Sequence, residues 1–408
     1  MKQAAILTGI VTGMMPTAVL VAGLSCGTPA LAQTDLTFGV GVRASSDSNP
    51  DLTPISAGQT SSLGLNLSFG LTRETASSSL TLNGSTGLTA ASGTGSSGLT
   101  NPTLSLAYTQ TTAAADFTLN GSVNAVDLAT TRDVNDFVTG SGSSRTANLA
   151  TSITWGKTAP LGFGLNAGLT DVSYYNHPTP DLINSQTLLL GANLRADLSA
   201  VLRFDLALSD SRFTQPGLPA RDTLGLDAGL TLERPAGELA LHLIDSNTPD
   251  GNRDTLRLDQ RIDLAAGTLS YSLGATRGVT GATHAIGSLD YAHDLIGGAV
   301  TVGLNRTVGA SALTDAETVQ SSASFGYNHA ITPRANLALA LNWAEQTDTA
   351  TNLTTANTSL AATFTQNLSQ DWALDLGYTH SLRDDDLVGK GQSDSVFLEL
   401  HRDFSIRY

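Results

Sequence analysis

The sequence predicts an all-β fold, a transmembrane up-and-down antiparallel barrel of about 20 strands (18–22) without a plug domain, and three observations carry that prediction. Apolar residues recur at every second position in stretch after stretch from Leu36 to Tyr408. The polar breaks between the stretches alternate between short and long. Charged residues make up 14% of the chain, against the roughly 25% usual for soluble domains.

The stretches follow one another in order. Leu36, Phe38, Val40 and Val42 open the series; Leu63 to Leu71 comes next, then Leu80 and Leu82, then Leu104 to Tyr108. Phe117 to Ala125, Leu149 to Trp155, Leu161 to Leu169 and Leu188 to Leu194 continue it. Then come Leu202 to Leu208, Leu224 to Leu232, Leu239 to Leu243, Leu256 to Leu264 and Leu269 to Leu273. Leu289 with Tyr291, Val300 to Leu304, Phe325 with Tyr327, Leu337 to Trp343, Leu360 with Phe364, Trp372 to Tyr378 and Val396 to Tyr408 complete it. A period of two puts each set on one face of a strand.

The breaks fix the topology. Short ones such as KTAP at Lys157, ERPAGE at Glu233, LAAG at Leu264 and ITPR at Ile331 alternate with longer ones at Ala44, Ser92, Thr130, Tyr175, Ser211, Asp245 and Arg383. This alternation marks a meander whose hairpins point two ways, and it places both ends of the barrel segment on the short-turn side, which requires an even strand count. An open sheet of this size would leave two long edges and a bare apolar face, whereas closure pairs every backbone group, the condition for crossing hydrocarbon. The terminal strand Val396–Tyr408 is expected to pair with the strand near Leu36, its last aromatic residue at a membrane–water interface.

The first 32 residues read as an export signal. Lys2 precedes an apolar region from Ala4 to Leu24, and Ala30-Leu31-Ala32 forms an A-x-A cleavage pattern, leaving residues 33–408 as the barrel. Cys26 is the only cysteine, and Gly23 stands where a lipid-attachment site would want a Leu-like residue. The segment after Ala32 therefore holds no disulfide and no thiolate metal ligand. No apolar run in it reaches the roughly 18 residues of a membrane-spanning helix. With 36 acidic against 21 basic residues the net charge is -15, which argues against nucleic-acid binding.

In this order of export signal, meander and terminal aromatic strand, the chain resembles the outer-membrane β-barrel proteins of Gram-negative bacteria. The segment GVGVRASSDSNPDL at Gly39 to Leu52 is similar to porin-like barrels linked to exopolysaccharide export. The resemblance implies contact with outer-membrane lipid and lipopolysaccharide, delivery through barrel-assembly machinery that engages the C-terminal strand, and room for homo-oligomers.

Function is expected in the lumen. In LRLDQRIDL, Arg257, Asp259, Arg261 and Asp263 share the inward parity and form a ladder of alternating sign. Arg195 with Asp197, Arg203 with Asp205, and Glu399 with His401, Asp403 and Arg407 add inward charge on their own strands. Two readings stand: mixed charge that keeps a wet lumen neutral, or an ion-selective lining. Arg402 breaks the pattern by sharing the lipid-facing parity, which fits either snorkelling to the headgroups or a protomer contact.

Other motifs carry no chemistry. GTGSSG at Gly93 is followed by a strand, so no helix dipole awaits a phosphate. DSNTPDGNRD at Asp245 has its glycine one place late for a calcium loop and lacks the twelfth-position Glu. The histidines are scattered, with His177 and His242 read near long loops and His293 and His329 near short turns, and none forms a catalytic dyad. No cofactor and no enzyme activity are expected. The expectation is a porin-like channel for passive diffusion of small hydrophilic solutes or ions; the alternatives are a conduit for exopolysaccharide and a closed barrel that binds surface partners.

Overall fold

The computed structural model describes residues 33–93, 97–128, 142–176, 182–310 and 317–408. The expected export signal with Cys26, the centre of the Gly/Ser stretch at 94–96, most of the loop at Thr130 and His177 lie outside the described residues. Twenty strands run in chain order. They are β1 Gln33–Asp47, β2 Thr60–Glu74, β3 Ser78–Ser92, β4 Gly98–Thr111, β5 Ala115–Asp127, β6 Ser143–Trp155 and β7 Leu161–Tyr175. Next come β8 Ser185–Asp197, β9 Leu202–Thr214, β10 Arg221–Arg234, β11 Gly237–Thr248, β12 Gly251–Leu264, β13 Gly267–Arg277 and β14 Thr283–Leu295. The last six are β15 Gly298–Ala310, β16 Glu317–Thr332, β17 Ala335–Asp348, β18 Thr354–Asn367, β19 Trp372–Asp385 and β20 Gly389–Arg407.

Every strand pairs antiparallel with its chain neighbours, and β1 pairs with β20, so the sheet is a closed ring. Thirteen register pairs close it, from Asp35↔Arg407 to Asp47↔Ser395. Thr34 and Tyr408 then exchange two backbone hydrogen bonds of 3.2 and 2.9 Å beyond them. Among the described residues there is no helix and no domain besides the ring. With strands about 4.8 Å apart and tilted roughly 40°, twenty strands give a backbone diameter of about 40 Å and a bore of roughly 25–30 Å after side chains.

The two faces differ in crowding as they do in chemistry. On β12, Leu256 and Leu258 are exposed whereas the alternating Arg257 and Asp259 are half-buried, which puts the leucines on the convex side and the charges on the concave side. The apolar series Leu224 to Leu232 covers nine residues of β10, about 27 Å of strand and roughly 20 Å of membrane at that tilt. Outward aromatics gather at the short-turn end: Trp155 stacks on Phe163 with centroids 4.9 Å apart, and Tyr108 meets Phe117 at 6.1 Å. Tyr291 with His293 and Tyr327 with His329 add stacked pairs at 5.9 Å.

Strand length departs from expectation at the long-loop end. The break read at Asp245 is a two-residue turn, Pro249-Asp250, because β11 and β12 keep pairing through Asp245↔Asp254 to Thr248↔Gly251. Backbone hydrogen bonds do not need apolar side chains, so the ladder continues above the membrane band. Gly251, at φ 137°, supplies the left-handed backbone that closes this turn. The loop at 48–59 lies fastened along the rim: Asn49 donates to β20, from its backbone N–H to Ser393 Oγ (3.2 Å) and from its side-chain amide to the Gln392 carbonyl (3.0 Å).

Two breaks interrupt the ladders at the same end. The β4–β5 ladder stops at Thr103↔Asn124, where Pro102 has no N–H to donate and Asn101 adopts a φ of 45°. The β14–β15 ladder stops at Gly287↔Arg306, although β14 continues up to Thr283 against β13 and β15 to Ala310 against β16.

Arg402 lies on the convex face in register with Trp372, the first residue of β19. Its guanidinium sits 5.5 Å from the Trp372 ring centre and 4.5 Å from that of Phe404, and reaches Asp371 in the short turn at 3.6 Å. The charge snorkels to the short-turn rim along two aromatic rings.

Candidate functional site: the charged lumen

The concave positions of the ring carry two charged walls. The first spans β8 to β12. Arg195 pairs in register with Asp205 and Asp197 with Arg203, a two-strand checkerboard. Within it Arg203 donates to Asp205 at 2.9 Å and reaches Glu233 at 3.4 Å. On β12, Arg257 donates to Asp259 at 2.9 Å and Arg261 lies 3.0 Å from Asp263, so the predicted ladder neutralises itself along its own strand.

Arg195 is committed elsewhere as well. Its Nη2 sits 3.6 Å from Asp197 and donates to the carbonyls of Gly156 (2.8 Å), Lys157 (3.2 Å) and Ala159 (2.8 Å). It thereby caps the β6–β7 turn and offers less free charge to the bore than the sequence suggested.

His242 faces the lumen from the middle of β11, not from a loop. The polar residues from Asp245 on resemble a loop in sequence, which puts His242 beside it, but the β11–β12 ladder continues through them. His242 Nδ1 lies 2.9 Å from Asp227 and its Nε2 3.6 Å from Asp259. Parity alone would have found Asp227, which sits between the outward Leu226 and Ala228.

The second wall spans β19, β20 and β1. Glu399 takes Arg43 at 3.3 Å on one oxygen and the Asn66 amide at 2.7 Å on the other. Arg43 lies flat over the Phe397 ring, 3.7 Å from its centre. His401 stands between Asp375 (3.2 Å) and Asp403 (3.9 Å), repeating the histidine between two carboxylates of the first wall. Gly39 and Gly41 make room for this cluster, since a Cβ on either would lie 2.8 Å from Asp403 or Glu399. Parity likewise marks Asp375 as inward, between the outward Leu374 and Leu376.

In a ring of twenty, β10 and β20 are ten strands apart, so the two walls face each other across the bore. Between them the inward positions are mostly neutral amides, hydroxyls and glycines, Asn83, Asn120, Asn148 and Asn166 on one side and Ser272, Ser288, Ser324 and Ser359 on the other, with Asp290 on β14 and the Asp116–Lys157 pair as charged exceptions. Below the mouth the first wall has Arg195, Arg203, Arg257 and Arg261 against Asp197, Asp205, Asp227, Glu233, Glu238, Asp259 and Asp263. The second has Arg43 and Arg407 against Asp35, Asp375, Glu399 and Asp403. Both walls are mixed in sign with an excess of acid. Among the described residues no cluster of His, Cys, Asp and Glu is arranged to hold a metal ion.

The fold matches a solved membrane receptor. The ferric-catecholate import receptor Fiu from E. coli K12, in its open form, superimposes with a TM-score of 0.51 at 10% identity, over 90% of this chain and 81% of that one. This is an outer-membrane β-barrel fold. The siderophore receptor PirA from Pseudomonas aeruginosa is similar at a TM-score of 0.49 and 12% identity, over 93% of this chain and 81% of that one. No protein-family model matches the sequence, and no curated protein does. The likeness of Gly39 to Leu52 to exopolysaccharide-export barrels finds no counterpart in these comparisons.

Proposed function

We propose that the chain is an outer-membrane channel through which small hydrophilic solutes or ions diffuse passively, with a preference for cations. The observation that carries the reading is a closed twenty-stranded ring whose convex face is apolar and whose concave face is polar. The opposed walls hold more carboxylates than arginines, so the lumen potential is negative and cations are enriched in it. The largely uncharged walls between them offer amides and hydroxyls to uncharged solutes.

Lumen aromatics speak against a polysaccharide conduit, because sugars stack on open rings. Phe397 is covered by Arg43 and Phe213 is buried at 8% exposure. The likeness to an import receptor supports a transport role without setting its cargo. Recording from the purified protein in a planar bilayer tests the reading: stepwise conductance with a reversal potential on the cation side supports it, and an electrically silent, fully folded barrel refutes it.

A further inference from the structure

The two lumen histidines are set into their walls in the same way. Each imidazole lies between two carboxylates: His242 between Asp227 on β10 and Asp259 on β12, and His401 between Asp375 on β19 and Asp403 on its own strand. Each also has a glycine in register on a neighbouring strand, Gly229 beside His242 and Gly41 beside His401. A Cβ on Gly229 would lie 2.8 Å from the His242 ring, and one on Gly41 3.2 Å from His401 Cβ. The other described histidines differ. His293, His329 and His380 take the outward parity, and His284 faces no carboxylate at ion-pair distance among the described residues.

Hydrogen-bond chemistry separates the two protonation states of such a ring. A carboxylate only accepts, and a neutral imidazole donates from one nitrogen alone, whereas the imidazolium donates from both. His242 presents Nδ1 to Asp227 at 2.9 Å and Nε2 to Asp259 at 3.6 Å. His401 presents Nδ1 to Asp375 at 3.2 Å and Nε2 to Asp403 at 3.9 Å. Beside a neutral ring, one carboxylate of each pair faces a lone pair and keeps an open acceptor for a permeant. Beside a protonated ring, both face donors. Proton and permeant cation therefore compete for the same oxygens.

The charges packed around each ring set the size of the effect. Around His242 they are Asp227 on β10 and, on β12, Asp259 with Arg257, which stands in register with the histidine and donates to Asp259. Glu238, further down β11, is opposite Glu233 on β10 and Arg261 on β12, and Arg203 and Asp205 pair with each other on β9. Around His401 they are Asp375 on β19, Glu399 and Asp403 on β20, and Arg43 on β1, with Arg43 and the Asn66 amide both on Glu399. Asp227, Asp259 and Arg257 together with Asp375, Glu399, Asp403 and Arg43 leave three net negative charges when the rings are neutral and one when both are protonated.

We propose that His242 and His401 are selectivity-determining residues of the lumen, and that their protonation turns a cation-preferring bore into a weakly selective one. The proposal rests on the channel reading and supplies its regulation. Imidazole changes charge between about pH 5 and 8, a range in which ordinary carboxylates and guanidiniums keep theirs. Half the bore is roughly 13 Å, and at about 0.01 M salt the Debye length of ~30 Å spans it. Two added charges then lower cation enrichment about twofold and raise the anion content by the same factor, so the cation-to-anion permeability ratio should fall roughly fourfold. At about 1 M salt the Debye length of ~3 Å confines the change to the walls, and the shift should vanish.

The experiment reads the reversal potential of the full barrel in a planar bilayer, in a shallow potassium chloride gradient around about 0.01 M, at about pH 8 and about pH 5. The wild-type barrel should lose most of its cation preference at the lower pH. His242→Gln with His401→Gln cannot take up the proton, so the double variant should keep its preference at both. Each single variant should show an intermediate shift, which decides the matter if the double variant fails to fold by heat-modifiability on gels. His401→Lys carries its charge at both pH values and should lower the permeability ratio already at the higher one. A wild-type ratio that does not move with pH, or a double variant that moves as the wild type does, overturns the proposal. Conductance with a pH-independent ratio refutes the regulation alone, whereas a folded barrel silent at both pH values refutes the channel reading and the regulation with it.

Discussion

Replacing Arg402 by leucine separates two descriptions of the same residue by sign. In the structure its guanidinium contacts two rings, each worth about 0.5–1 kcal/mol at an exposed site, and a solvent-facing carboxylate, worth about 0–1 kcal/mol. Against this stands the penalty of an arginine near an interface, roughly 0–1 kcal/mol. Arg402→Leu should therefore cost about 1 kcal/mol. An arginine stranded at the bilayer midplane would instead release roughly 2–4 kcal/mol on the same substitution. Urea unfolding of the barrel in lipid vesicles, followed by tryptophan fluorescence under reversible conditions, measures the difference. A double-mutant cycle with Trp372→Leu should return a coupling of about 0.5–1 kcal/mol, the value of one ring contact. A stabilised R402L barrel, or a cycle with no coupling, would refute the snorkelling geometry. The oligomeric state in mild detergent should be unchanged by R402L, and a shift in it would point instead to a protomer contact.

Three further outcomes follow from named contacts. Converting Asp375, Glu399 and Asp403 to Asn, Gln and Asn removes the acidic excess of one wall, so the bilayer reversal potential should move toward anions while the barrel remains folded by heat-modifiability on gels. Gly377→Ala drives a Cβ into the Phe397 ring, and because Arg43 already packs on that ring the substitution should destabilise by about 1–3 kcal/mol, a loss that Phe397→Ala in the same chain should largely relieve in urea melts. At the mouth, hydrogen bonds from the Thr351 and Ala350 N–H groups hold the Asp348 carboxyl below its ordinary value. The β17–β18 turn should accordingly be protected at neutral pH and lose protection at Ala350 and Thr351 as pH falls through that lowered value, by hydrogen exchange corrected for intrinsic rates, and Asp348→Ala should abolish the dependence.

Parity made most of this architecture readable. Leu256, Leu258 and Ile262 alternating with Arg257, Asp259 and Arg261 already separate a lipid face from a lumen face, and the even strand count follows from the alternating breaks. Strand length was less legible, because the ladder past Asp245 and Asp254 runs on polar residues that look like a loop. Which charges meet depends on register, a relation between distant segments: Arg43 and Glu399 are 356 residues apart. The histidine clusters needed that register, and so did the early end of the β14–β15 ladder, since Thr283–Ile286 and Thr307–Ala310 read as ordinary strand when each is taken alone.

The aromatic rings gathered at the short-turn end have a mechanical consequence. Rings of this kind prefer one depth, so the short-turn end is moored at the inner interface. The height of the lumen clusters above that rim is then set by strand geometry and not by the thickness of the layer beyond it.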